Sequence, residues 1–255
     1  MSTTIQSPVT DAANVLVREL RPMMRDPFSL IFTLVQPLVF LGLFGPLLVS
    51  SSGEPASETL KWFVPGILVM VALFGTGTTG SNLLYEMQTG AHERTLVAPI
   101  SRGSLLVGRA LKEMVPIIAQ AGVIALATLP FGFSINPLGM LVGLVLLAIF
   151  GLGFGSFSYA LALASRKNDW MFWAVQQGTL FPLMILSGML LPLEGGPQWM
   201  QVAAAFNPLS YVVSAERALF AGDLLSPAVL WGFVAAIVLA AGGLAVGIRG
   251  MRRSS

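Results

Sequence analysis

The residues in this chain that could do chemistry are few, and their spacing argues against most of it. His92 and Glu93 would open a zinc-protease motif, but the position of the required second histidine is Leu96. With His 1 in the whole chain, His92 reads as an ordinary side chain rather than a catalyst or ligand. Cys 0 removes thiol catalysis, disulfides and cysteine-ligated metals. There is no Gly-x-Ser-x-Gly elbow, and with Lys112 near the end of its stretch the serines have no histidine or lysine at membrane depth to act as a base. No lysine follows a glycine, so the end of a phosphate-binding loop is missing and the chain cannot hydrolyse ATP by that route. No catalytic residue, metal or cofactor is therefore expected in this chain.

What remains is suited to holding molecules rather than transforming them. Phe28, Phe32, Gln36, Phe40 and Phe44 recur every four residues, and Trp173, Gln177 and Phe181 repeat the pattern. Each stripe sets a glutamine between aromatics on one helical face, a surface that suits amphipathic, aromatic-rich compounds. Phe32, Gln36, Phe40, Gln177 and Phe181 are the candidate substrate path. The competing reading is that the phenylalanines face lipid and the glutamines bond neighbouring helices. Glu216 and Arg217 fall in an apolar segment punctuated by Trp199, Asn207, Pro208 and Tyr211, where at least one of the two charges is expected to be partnered.

The elements that carry these residues follow from hydropathy. Six apolar stretches run from Phe28 to Val49, Trp62 to Tyr85, Leu105 to Leu129, Pro137 to Ala164, Trp170 to Leu193 and Pro227 to Ile248. Each is long enough to cross a hydrocarbon layer that needs about 20 helical residues. Helices are required because backbone groups in lipid must be satisfied within the segment, and the long continuous runs lack a barrel's alternation. If the N-terminus is cytoplasmic, only Lys61 and Arg217 of the 14 basic residues fall outside, which places both termini inside.

The expectation is an all-α membrane protein. An interfacial amphipathic segment, residues 1–26, precedes a six-helix transmembrane domain, residues 27–255. In the first, Leu16, Leu20, Met23 and Met24 share a face opposite Asn14, Arg18, Arg21 and Arg25, a pattern that sets arginines near lipid headgroups. Pro22 is expected to interrupt this helix and Pro27 to start the next. No small-residue cleavage site precedes Phe28, so no cleaved signal peptide is expected. Gly75 to Asn82 reads as close helix packing, with a substrate contact as the alternative, and the glycines of the fourth stretch, from Gly139 to Gly155, read as close helix packing. Leu193 to Pro227 reads either as two short helices, Val202 to Phe206 and Leu209 to Phe220, dipping back into the bilayer, or as a surface cap.

At 55% hydrophobic and 10% charged the chain resembles no soluble domain. The net charge of +2 is accounted for by the inside loops, which argues against nucleic acid. The stretches lack midplane acids or lysines of the kind ion-coupled pumps use, since Glu86, Arg109, Lys112 and Glu113 lie near their inner ends. A pump built on this chain draws its energy from another subunit.

Two segments carry a family resemblance. Tyr85 to Arg109 (YEMQTGAHERTLVAPISRGSLLVGR) is similar to the segment after the second span in type 2 ABC transporter permeases, with an acidic stretch before a leucine, a proline and a basic residue. Phe181-Pro182, Ser187-Gly188, Pro192, Pro197, Trp199, Asn207-Pro208, Tyr211 and Arg217 follow the order of that family's fifth span and outer hairpin. The chain looks closest to exporters of the daunorubicin-resistance type.

The resemblance implies a bacterial inner-membrane permease without its own ATPase site. Its partners would be a second permease, identical or paralogous, and two cytoplasmic ABC ATPase subunits holding ATP and Mg2+. It implies an N-terminal interface helix, a re-entrant outer hairpin, and a coupling helix whose ATPase contact would include Glu93, Arg94, Thr95, Leu96 and Pro99. The usual glycine-threonine-acid order appears here as Gly90, Ala91, His92, Glu93, Arg94 and Thr95, which shifts its register by a few positions. Hydrophobic or amphipathic drug-like compounds are the expected cargo. Lipid, glycolipid or polysaccharide precursors are the alternative, and a non-transporting assembly or signalling subunit is the rival from another class.

Overall fold

The computed structural model describes residues 8–25, 27–90, 102–134, 136–166 and 168–254. These residues are helical or irregular, with no strand among them. The helices are α1 (Pro8–Met24), α2 (Pro27–Ser52), α3 (Ala56–Gln88), α4 (Arg102–Lys112), α5 (Met114–Thr128), α6 (Pro137–Ala164), α7 (Asp169–Ile185), α8 (Gln198–Phe206), α9 (Pro208–Ala221) and α10 (Pro227–Ser254).

Among the described residues five segments are long and apolar enough to cross a bilayer: Leu34–Ser52, Ala56–Gln88, Gly103–Phe131, Pro137–Ala164 and Pro227–Arg252. The expected fifth stretch, Trp170 to Leu193, is the exception. Its helix, α7, stops at Ile185, after 17 residues. Hydropathy continues past this point but the backbone turns. Ser187 Oγ donates to Met184 O at 2.7 Å and accepts from Met189 N at 3.3 Å. Gly188 then adopts a φ of +70°, which a residue with a Cβ rarely does.

The third stretch also departs from a single rod, breaking at Glu113 into α4 and α5. Pro116 contributes, because its ring nitrogen cannot donate to the carbonyl of Lys112. Pro22, by contrast, does not interrupt α1, which runs on to Met24; only its last turn lies beyond the proline.

Two helices start from the same device, an asparagine before a proline. Asn136 Oδ1 accepts from Gly139 N at 3.1 Å to begin α6, and Asn207 Oδ1 accepts from Leu209 N at 3.0 Å to begin α9. The side chain satisfies a free backbone donor, and proline at the first helical position loses no bond.

The core forms around α3, whose Phe63, Ile67, Met70 and Leu73 are fully covered. They pack with Leu146 and Phe150 of α6, Val212 and Val213 of α9 and Ala236 of α10. A second cluster joins Val15 of α1, Leu83 of α3, Leu106 of α4, Tyr159 of α6 and Met251 of α10. In lipid, burying apolar surface gains little, so such helices are held by close approach and hydrogen bonds. A Cβ on Gly151 would stand 2.6 Å from Thr76 Cγ2 of α3, and one on Gly153 2.6 Å from Ala240 N of α10. α6 is thereby gripped on both sides.

Candidate functional site

The charged residues meet where α1, α3 and α4 come together. Arg109 of α4 is 4% exposed. Its Nη2 bonds Glu86 Oε2 at the end of α3, and its Nε lies 3.7 Å from Glu19 Oε1 of α1. Nη1 reaches the Tyr159 hydroxyl of α6 at 3.5 Å, with the guanidinium 5.7 Å from the centre of that ring. Lys112 continues the network, 3.8 Å from Glu19 Oε2 and 3.4 Å from Glu113 Oε1, and Asn82 Nδ2 donates to the same Glu113 oxygen at 3.4 Å. α1 comes close enough because α4 offers Gly108: a Cβ there would lie 2.8 Å from Val15 Cβ.

This cluster brackets the segment singled out for coupling. Glu86 stands just before it, and Arg109 and Lys112 follow it. Glu93, Arg94, Thr95, Leu96 and Pro99 themselves lie outside the described residues. The sequence marked Glu86, Arg109, Lys112 and Glu113 as inner-end charges but gave no pairing. The available signal was that these residues and Glu19 all fall at ends of apolar stretches on one side.

The two glutamine-aromatic stripes meet through a residue the sequence did not single out. Gln36 is exposed on α2 and borders a hollow of about 150 Å3 with Phe74, Thr78 and Gln120. Phe74 also meets Phe181 of α7 edge to face, ring centres 6.3 Å apart. Phe40 stacks on Phe44 at 5.4 Å and is half-buried against the core. Gln177 is exposed, and the side chain of Phe32 lies outside the described residues. The neighbouring Gln176 is the buried one: its Oε1 accepts from Ser158 Oγ at 2.9 Å and its Nε2 donates to Gly77 O at 3.2 Å. That bond ties α7 to α3 and α6.

In the α8–α9 segment Arg217 is the partnered charge. Nε donates to Trp62 O at 3.0 Å, Nη2 donates to Gly188 O at 2.8 Å, and the guanidinium sits 3.8 Å over the Trp62 ring. Glu216 is fully buried, with no hydrogen-bond partner for either oxygen among the described residues. It lies over Gly143 of α6, whose missing side chain makes the room. Asn207 Nδ2 donates to Leu183 O at 2.8 Å, which pins the junction of α8 and α9, where Pro208 opens α9, to the end of α7. Trp199 is exposed.

The profile of proteins described as ABC-2 type transporters matches residues 12–221, which takes in α1 through α9. The chain belongs to the ABC-2 type transporter family. It is 32% identical over 212 residues to the putative transport permease ycf38 of Cyanophora paradoxa, covering 81% of this chain and 73% of that protein. It is 25% identical over 209 residues to the daunorubicin resistance ABC transporter permease protein DrrB1 of Streptomyces coeruleorubidus, covering 81% and 74%. The probable doxorubicin resistance ABC transporter permease protein DrrC of Mycobacterium tuberculosis is 25% identical over 208 residues, covering 80% and 74%. As an ABC-2 permease the chain is a multi-pass membrane protein, in keeping with its long apolar helices.

Proposed function

We propose that this chain is the membrane-spanning subunit of an ATP-driven exporter of hydrophobic or amphipathic, drug-like compounds. It crosses the membrane six times with both termini in the cytoplasm, α7 and the turn after it forming the fifth crossing. A second permease pairs with it, and two ATPase subunits on the cytoplasmic side hold ATP and Mg2+.

The observation that carries the reading is the ion network of Glu19, Glu86, Arg109 and Lys112 at both ends of the coupling segment. A push on residues 93–99 by the closing ATPase subunits reaches α3 and α4 together, because Glu86 and Arg109 join them. Glu19 brings α1 into the same unit. α3 passes the displacement to α6 through their close packing. Energy enters only if the ATPase subunits contact this base differently in their open and closed states. The aromatic surface of α2 and α7, joined through Phe74, gives broad apolar contact with few polar constraints, and two relatives are named for daunorubicin and doxorubicin resistance.

The test is to co-purify the tagged permease with its ATPase, reconstitute the complex in vesicles, and measure ATP hydrolysis with added daunorubicin or doxorubicin. Stimulated hydrolysis and transmembrane movement of the drug are expected. A permease that brings down no ATPase subunit would sink the exporter reading; stimulation by lipid precursors alone would change the cargo.

A further inference from the structure

Away from the ion network, the last turns of α6 and α10 enclose a cleft of about 500 Å3. Ala160 and Ala164 line it from α6, and Val246 and Gly250 from α10, each pair four residues apart and so on one face of its helix. These small side chains leave a hollow with apolar walls. Leu163 adds a larger apolar wall, and Arg166 and Arg249 complete the lining, both exposed. Neither has a carboxylate within ion-pair distance among the described residues. The nearest acid in the sequence, Asp169, accepts instead from Gln88 Nε2.

Retention of loops on one side of the membrane explains why arginines lie at these ends, but it requires no hollow beneath them. Two unpaired guanidinium groups over an apolar cleft match one kind of occupant, a negative oxygen group carrying a hydrocarbon chain. Arginine's planar fork suits phosphate oxygens better than a lysine ammonium does. Basic pockets between helix ends at this level of a bilayer are where anionic headgroups are held. Trp170, four residues past Arg166 and 71% exposed, is the side chain that settles at the headgroup layer.

We propose that this cleft binds an anionic phospholipid, its phosphate between Arg166 and Arg249 and one acyl chain against Ala160, Ala164, Val246 and Gly250.

The full-length permease in detergent, titrated with phosphatidylglycerol or phosphatidylcholine of identical chains and read by native mass spectrometry, tests this. Wild type should favour phosphatidylglycerol on the order of tenfold, and Arg166→Gln with Arg249→Gln should abolish that preference. Arg252→Gln, which removes a neighbouring charge outside the cleft, should leave it intact. Gly250→Leu keeps both arginines but fills the hollow, and should weaken binding of both lipids. An unchanged preference in the double variant overturns the proposal, as does an equal loss in Arg252→Gln. Displacement of the lipid by glycerol phosphate at equal concentration would also overturn it, since it would reduce the site to a free-phosphate site. Loss of ATPase co-purification with lipid preference unchanged would make the arginines a protein contact instead.

Discussion

Arg109 and Glu86, 23 residues apart in sequence, bind each other across the junction of α3 and α4, so the two helix ends that flank the proposed coupling segment are joined by charge. Arg109→Gln strands the Glu86 carboxylate in a largely covered site, while Glu19 keeps Lys112 and Arg18, and should cost on the order of 3 kcal/mol. Adding Glu86→Gln should recover part of that loss, because the stranded charge is gone. A double-mutant cycle on unfolding of the purified permease should give a coupling of about 1 kcal/mol or more. Additive effects would mean that the pair is incidental.

Arg217 is held through geometry as much as charge, so its conservative replacement should not be conservative. Arg217→Lys keeps a cation but loses the fork to Trp62 O and Gly188 O and the stacking on Trp62. Both Arg217→Lys and Arg217→Ala should lower the melting temperature by several degrees, about 1–2 kcal/mol. Lys61→Ala removes only an exposed pair with Glu58 and should cost under about 1 kcal/mol. Equal tolerance at both positions would refute this.

Glu216 should make the protein sensitive to pH. It lies on α9, outside the five candidate spans, and burial without a partner among the described residues pushes its carboxyl up to about 8 from its ordinary value of 4.5. The folded state therefore holds this proton more tightly than the unfolded chain. Stability linked to it is fully present below 4.5 and is lost as pH rises toward 8. Melting temperature should fall over that window in the wild type and fall less in Glu216→Gln. Superimposable profiles would assign the pH dependence elsewhere.

The aromatic surface should set which compounds move rather than whether the complex forms. Phe74→Ala and Phe181→Ala, which open the contact between α3 and α7, should reorder the compounds that stimulate ATP hydrolysis while assembly persists. Phe32→Ala and Phe40→Ala should do the same. If Gln36→Leu and Gln177→Leu leave every compound unchanged, the path runs along another face.

Topology is open to direct measurement, because the chain has Cys 0. Cysteines introduced at Ser52 and Gly196 should react with an impermeant reagent on intact cells, and those at Ser101 and Ser254 only after the membrane is opened. Labelling of the Ser101 variant from outside would reverse the orientation.

Hydropathy located the long helices because lipid demands continuous apolar runs, while Pro137 stood only as the edge of a stretch and Asn207-Pro208 only as a break, the capping by Asn136 and Asn207 emerging with the structure. The end of α7 was not, since Leu186, Met189 and Leu190 keep the run apolar while Gly188 turns the backbone. Nor was the pairing of Arg109 with Glu86 and Tyr159, because periodicity reports a residue's face on its own helix and nothing about its distant partner. The same limit explains why Gln177 stood out while Gln176 holds the buried bond: neighbours in sequence differ by about 100° around a helix, and only the packed structure fixes the phase.

The grip on α6 at Gly151, against the Thr76 side chain of α3, and at Gly153, against the backbone of α10, leaves α3, α6 and α10 interlocked at close range. On the proposed export cycle, a change of access would tilt this trio as a block, while α2 and α7, whose outward faces remain largely uncovered, would shift against it. Durability and selectivity would then reside in different helices. Substitutions on α2 and α7 can retune the range of compounds without loosening the frame, which is how one scaffold could diversify its cargo under selection.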